Sequence, residues 1–268
     1  MSNKKFKIAT FNANSLKVRL DQVLSWLKDN DCDYLAIQET KTRDENFPED
    51  EFRDAGYHVA YRGMKAYCGV AIASKEKPRD VSISFDDDGP THEKFAEQDP
   101  ARLIRADFKE FSLVNTYIPQ GFEVGSPQYE YKLEWYERLK KYFDKHFKKK
   151  DSLVWVGDLN VAYEERDVYD PEGLIGNVDF TPEVREAFKD VMNWGFIDVV
   201  RKHHENENEY YTFWDYRRNA FKRNNGWRLD HILATKSMAE RSEDVFVDRE
   251  ARKAERPSDH TFVVGIFK

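Results

Sequence analysis

The chain has 268 residues, 40% of them hydrophobic and 15% aromatic, which suffices to bury a large core in one or two domains and marks a folded globular protein. No apolar run approaches the roughly 18 uninterrupted residues that cross a bilayer. The opening MSNKKFKIATFN lacks the apolar stretch and small-residue cleavage site of a secretory signal, so the cytoplasm is the expected compartment, with no membrane partner. Lys and Arg number 43 against 50 Asp and Glu, and the balance of -7 argues against a protein whose main task is to coat nucleic acid, but not against an enzyme that meets phosphates on one local basic surface.

In chain order, KFKIATFN reads as a first strand, and LKVRLDQVLSWLKDN follows with Leu16, Leu20, Val23, Leu24 and Leu27 at helical spacing. CDYLAIQET is a second buried strand. YHVAYRG, CGVAIAS, DVSISF, RLIRADF and FSLVNTYIP are further strands separated by turn residues. The longest helix comes next: Ser126 can cap it with Pro127 at its first position, and Tyr129, Leu133, Tyr136, Leu139, Phe143 and Phe147 mark an inner face that is core. The strand VWVGDLNVA is followed by an irregular segment to Val178, a helix begun by Thr181 and Pro182, and strands around YYTFWDY, WRLDHILAT, EDVFVD and TFVVGIF. No composition break marks a linker. The expected architecture is one α/β domain over residues 1–268, with two sheets packed face to face under outer helices. Cys32 and Cys68 sit in apolar strand-like segments without Cys or His at metal-ligand spacing, which predicts buried thiols.

Polar residues recur where these strands end: Asn12 and Asn14 after the first, Glu39 after the second, Tyr117 in NTYIP, Asp158 and Asn160 in GDLN, Asp230 in WRLDHI, and Asp259 with His260 opening the last. One such residue is usually a turn former. A whole series of them is harder to explain that way, because adjacent strand ends converge on one sheet edge. Glu39 beside Asn12 offers hard oxygen ligands of the kind magnesium prefers, and no Cys or multi-His cluster points to zinc. There is neither a nucleophile elbow nor a phosphate-cradling glycine loop. Hydrolysis of a phosphodiester by metal-assisted attack of water fits what is left. RRNAFKRNNGWR, which includes Arg217 and Arg218, mixes cations with aromatics and is the expected contact surface. The lysine-rich run at 140–150 reads as a solvated helix face.

FNANSL, IQETK, NTYIPQG, GDLNVA, FWDYR, WRLDHILAT and ERPSDH together resemble the ordered motifs of the exonuclease III family of apurinic/apyrimidinic endonucleases, within the endonuclease/exonuclease/phosphatase superfamily, and the match runs nearly end to end. The resemblance implies a four-layer α/β sandwich of two mainly antiparallel sheets flanked by helices. It implies a magnesium-dependent DNA repair nuclease, with manganese able to substitute, that cleaves 5′ to abasic sites in double-stranded DNA and clears blocked 3′ ends, working as a monomer. Carried over by residue, Glu39 is the metal ligand with Asn12 supporting it and Asp259 on the other side. Tyr117 and Asn160 hold phosphate oxygens, Asp158 orients or deprotonates water, and His260, held by Asp230, donates to the scissile phosphate. Phe213, Trp227 and Leu229 are expected to wall an apolar pocket for a flipped-out sugar, although strand alternation alone would turn Trp227 and Leu229 away from Asp230. Gln120 and Asn14 stand where relatives carry asparagine and aspartate, and a metal role for Asn14 is left open. A phosphoesterase of the same fold acting on RNA, an inositol phosphate or a lipid headgroup, and an inactive DNA-binding relative, are the alternatives.

Overall fold

The computed structural model describes residues 5–268. The described strands are β1 (Phe6–Asn12), β2 (Tyr34–Gln38), β3 (His58–Gly63), β4 (Gly69–Ser74), β5 (Asp80–Ile83), β6 (Leu103–Asp107), β7 (Ser112–Tyr117), β8 (Leu153–Asp158), β9 (Phe196–Asp198), β10 (Asp230–Thr235), β11 (Ser242–Asp248) and β12 (Phe262–Phe267). The longer helices are α1 (Leu16–Asn30), α2 (Glu49–Asp54), α3 (Pro127–His146) and α4 (Pro182–Met192). The strands form two six-stranded sheets, ordered β11-β12-β1-β2-β4-β3 and β5-β6-β7-β8-β10-β9. Only β1/β2 and β7/β8 pair in parallel; the other pairings are antiparallel. Each parallel pair is joined by a crossover that contains a long helix, α1 in one sheet and α3 in the other.

Alternation along the strands builds the layers. Ile8 points into the inter-sheet core with Val154, Val156, Ile232 and Val263, whereas Ala9 and Phe11 face the α1 side with Val23 and Leu27. On the far side Trp155 and Leu153 meet Tyr136, Leu139 and Phe143 of α3 and Phe188 of α4. This is the four-layer arrangement expected. The caps hold as well: Ser126 Oγ accepts from the Tyr129 amide at 3.2 Å, and Thr181 Oγ1 accepts from the Val184 amide at 3.2 Å. Cys32 and Cys68 are free and buried. Among the described residues no helix is long and apolar enough to cross a membrane.

Two differences from expectation bear on the site. YYTFWDY is not a strand: Phe213 makes one isolated bridge to Trp227 and another to His260. Its backbone therefore ties the approach to β10, in one sheet, to the approach to β12, in the other. The short strand β9 was not foreseen, since its three residues carry no alternation of their own. Between the sheets lies a buried polar clamp. Asn115 of β7 donates to the carbonyls of Ile37 at 3.0 Å and Ala71 at 2.9 Å on the opposite sheet. Its oxygen accepts from Gln38 at 2.7 Å.

A second buried network anchors the chain just before β10. Arg228 has no exposed surface; its guanidinium donates to Asp167 at 2.7 and 3.1 Å and to Asp198 at 2.7 Å, and Arg201 pairs with Asp167 from the side. Burial alone would raise the carboxyl of Asp167, but Arg228 and Arg201 outweigh it and hold it well below the usual aspartate range. A lowered folded-state pKa means that the pair stabilises fully above the ordinary value of about 3.9 and loses its contribution as pH falls below that toward the folded value. Denaturant melts of the wild type should therefore lose stability steeply below about pH 4. Asp167→Asn, which leaves Arg228 under-paired, should cost about 3 kcal/mol at neutral pH and flatten that acid limb.

Candidate active site

The polar strand ends meet at one edge of the sandwich. Tyr117, Asp158 and Asp230 lie side by side across three neighbouring strands: Tyr117 is the register partner of Asp158 in the β7/β8 pair, and Asp158 is that of Asp230 in the β8/β10 pair. Gly157 makes that row possible, because a Cβ there would fall 1.9 Å from the carbonyl oxygen of Thr116 and its φ is +146°. In the other sheet Asn12 ends β1 and Glu39 follows β2. Several residues here adopt the left-handed conformation: Asn14 (φ 43°), Glu39 (φ 49°), Lys41 (φ 50°) and Asn160 (φ 47°). Each non-glycine residue in that region costs on the order of 1 kcal/mol, and such residues cluster where side-chain aim matters more than local stability.

Asn12 joins the two halves. Its side-chain nitrogen donates to Glu39 Oε1 and to Asp158 Oδ2, both at 2.8 Å. Its oxygen accepts from the Asn14 amide at 2.9 Å, so the amide orientation follows from its partners. Lys41 Nζ lies 2.7 Å from Glu39 Oε2 and 2.6 Å from Asn14 Oδ1, and Asn14 Nδ2 donates to Asp259 at 3.0 Å. His260 Nδ1 lies 2.8 Å from Asp230 Oδ2. Its Nε2 is 3.7 Å from Asp158 Oδ2, beyond hydrogen-bond range. The amide of Asp230 donates to Thr212 Oγ1 at 3.1 Å. The amide of Asn160 donates to Asp158 Oδ1 at 3.0 Å, while its side-chain nitrogen donates to the Ile118 carbonyl at 2.8 Å. Arg102 stacks its guanidinium 4.8 Å from the Tyr117 ring.

This floor opens into a cleft of about 610 Å³ lined by Glu39, Tyr117, Gln120, Asp158, Asn160, Asp259 and His260, and also by Phe213, Trp227, Leu229, Arg217 and Arg218. Trp227 and Leu229 pack with Val168 and Phe180 in one apolar cluster beside Phe213, whose ring centroid is 4.9 Å from that of His260. Asn12 and Asp230 lie beneath the surface with no exposure.

The charges strain against burial. Desolvation pushes the Asp158 carboxyl up to about 8; His260 opposes the rise, and Asp230 and Glu39 add to it. Desolvation disfavours the His260 imidazolium, yet Asp230 and Asp158 overcome it and raise the ring to about 10. Tyr117 is held well above the ordinary phenol range by burial and by Glu39. Carboxylates thus outnumber nearby cations, and both oxygens of Glu39 face positively polarised partners, Asn12 Nδ2 and Lys41 Nζ, so this side of the floor favours positive charge, as a hard divalent ion would supply. Ligand atoms of Asp158, Asp230 and His260 also lie within 4.8 Å of one another. In that trio His260 Nδ1 is already taken by Asp230, whereas Glu39 and Asp259 face the open cleft, where a hard cation could also be held.

Comparison with known proteins agrees with this geometry. The family described as Endonuclease/Exonuclease/phosphatase matches residues 9–260. The chain belongs to that family. It is 31% identical to exodeoxyribonuclease III of Haemophilus influenzae, over 98% of this chain and all of that protein (100%). It superposes on an AP endonuclease from Archaeoglobus fulgidus with TM-score 0.93 and 46% identity, covering 98% of this chain and 99% of that one. A 3′ phosphatase from Neisseria bound to a product DNA hairpin gives TM-score 0.90 and 36% identity over 98% and 99% of the two chains. The protein is accordingly a hydrolase of the exodeoxyribonuclease III and AP endonuclease type.

Lys41 and Thr212 bond to residues of this floor, Glu39 and Asp230, and neither is among the residues the sequence marks as site candidates. Lys41 stands two residues after Glu39 inside IQETK, and that spacing was the available signal; Thr212 carried none. If Asp230 raises the His260 ring, Asp230→Asn should bring it back toward the ordinary 6.5. A raised folded-state pKa stabilises fully below the unfolded value and is lost as pH climbs toward 10. NMR of the His260 ring protons should therefore show wild-type titration above pH 8 and a shift downward by more than one unit in the variant.

Proposed function

We propose that the protein is a magnesium-dependent DNA repair nuclease that hydrolyses the phosphodiester 5′ to abasic sites in duplex DNA and also trims or dephosphorylates blocked 3′ ends. It acts as a single catalytic domain, a monomer, in the cytoplasm, and manganese replaces magnesium. The observation that carries the reading is the buried Asp158 facing the His260–Asp230 pair across 3.7 Å at the floor of an open cleft, in a chain similar to an AP endonuclease and to a 3′ phosphatase. Glu39, with Asn12 bonded to it and Asp259 across the floor, would hold the ion, which supplies Lewis-acid stabilisation of phosphate charge. In its ionised form Asp158 accepts the proton of the attacking water, or aims it, while Asn12 holds its Oδ2 and the Asn160 amide its Oδ1. Nε2 of His260, kept protonated by Asp230, donates to a phosphate oxygen as charge builds there. Tyr117 and Asn160 bind the remaining phosphate oxygens. Arg217, Arg218 and Gln120 contact the strand at the rim.

An abasic-site duplex incubated with the protein should be cut in magnesium and left intact in chelator, and Glu39→Ala should weaken magnesium binding measured by calorimetry. Asp158→Asn and His260→Asn should each lower kcat at least about a hundredfold with duplex affinity nearly unchanged. Turnover that persists in chelator rejects the metal assignment.

Phe213, Trp227 and Leu229 would select the substrate by exclusion. An apolar pocket has no partner for the polar edge of a base, and an intact nucleotide must also leave its stack at a cost of a few kcal/mol. Trp227→Ala and Phe213→Ala should lower abasic cleavage more than they lower affinity for an intact duplex. The check is cleavage of matched duplexes with and without one abasic site, alongside melting curves, where equal loss of every activity together with a large drop in Tm assigns these side chains to packing alone.

A further inference from the structure

Lys132 lies on α3, outside the catalytic floor, and has no exposed surface. A helical lysine ordinarily keeps its ammonium in water while its stem lies along apolar surface. This one turns inward and places all three N–H bonds: on the carbonyls of Gln120 at 3.1 Å and Val178 at 3.0 Å, and on Asp179 Oδ1 at 2.7 Å. Gln120 belongs to the loop after β7. Val178 and Asp179 belong to the long segment between β8 and α4. Gln120 and Asp179 both line the cleft, and Gln120 Nε2 is 3.4 Å from the second oxygen of Asp179. The two loops close against each other over the lysine stem: a Cβ on Gly121 would fall 2.8 Å from Val178 Cγ2 and 3.1 Å from Lys132 Cδ. One turn earlier, Tyr129 of the same helix reaches Thr181 Oγ1 at 2.5 Å.

We infer that Lys132 is a positioning residue for substrate binding: from behind the cleft wall it fixes Gln120 and cancels the charge of Asp179, so that the wall accepts a phosphodiester. The inference rests on the nuclease reading above. Asp179 is an acid on a surface that must meet a polyanion, and without the ammonium its carboxylate would repel the strand through low-dielectric surroundings. A simple staple between loops would need hydrogen bonds but no balance of charge, and this separates the two roles.

The test uses a fluorescent duplex carrying one tetrahydrofuran abasic analogue, with binding followed by anisotropy in EDTA, cleavage kinetics in magnesium, and a melting curve for each variant. Lys132→Met should weaken binding and raise KM about tenfold while kcat changes less than about threefold. Lys132→Met with Asp179→Asn should recover to within about threefold of wild type, because the stranded charge is gone. Asp179→Asn alone keeps the lysine and should bind at least as tightly as wild type, which tests the charge even if Lys132→Met does not fold. A double variant no better than Lys132→Met, or an Asp179→Asn variant that binds several times more weakly than wild type, overturns the inference while active wild type leaves the nuclease reading standing. A wild type that neither binds nor cuts this duplex overturns both.

Discussion

Two sheets that touch only through apolar side chains can slide over one another at little cost, and a site assembled from both would blur with every slide. Asn115 removes that freedom. Its amide hydrogens reach two neighbouring strands of the opposite sheet, at Ile37 and Ala71, and its oxygen is held by Gln38. These are fully buried groups, so a shift of an ångström would leave carbonyls and amides without partners, at about 1–3 kcal/mol each. Immediately above this clamp Asn12 makes the second crossing, from Glu39 to Asp158. The catalytic floor inherits its spacing from these hydrogen bonds, and they recognise one register only.

With the spacing fixed, the chemistry follows from an imbalance of charge. Asp158, Asp230, Glu39 and Asp259 meet Lys41 and His260 at a floor where Asp158 and Asp230 are almost wholly shielded from water. Such a cluster is unstable toward whatever can add positive charge, whether proton or cation. The shifts at Asp158 and His260 are the record of that demand in the protein alone. The same imbalance continues up the wall, where Asp179 is answered from below by Lys132.

Much of this was legible in the sequence. β-branched and aromatic runs marked the inner strands, and the acids and amides ending them, Asn12, Glu39, Asp158, Asp230 and His260, came to one edge because neighbouring strands in a sheet must end near one another. Phe213, Trp227 and Leu229 share the cleft for a different reason. Residues 227–229 precede the regular strand: Arg228 turns away to Asp167, while Trp227 and Leu229 turn toward Phe213. YYTFWDY looked like a strand because its composition suits one, yet its backbone hydrogen bonds are divided between two sheets, and composition does not tell where hydrogen bonds go. Lys132 was the least legible. Periodicity puts Lys132 on the inner face, three residues after Tyr129 and four before Tyr136, but residue type assigns a lysine to water, and only the tertiary meeting of two distant loops makes a dry position for it.

The placement of β12 has a consequence for how the protein comes into being. β12 lies between β1 and β11, so β1 keeps one edge unpaired until synthesis has passed through β12, by which point every other described strand has been made. Asp259 and His260 are made just ahead of β12. A chain that stops short of this point lacks the Asp230–His260 hydrogen bond, so the floor stays incomplete until the approach to β12 is made. The same long wait leaves the apolar edge of β1 open to pairing with other chains, which makes synthesis the stage at which aggregation threatens most.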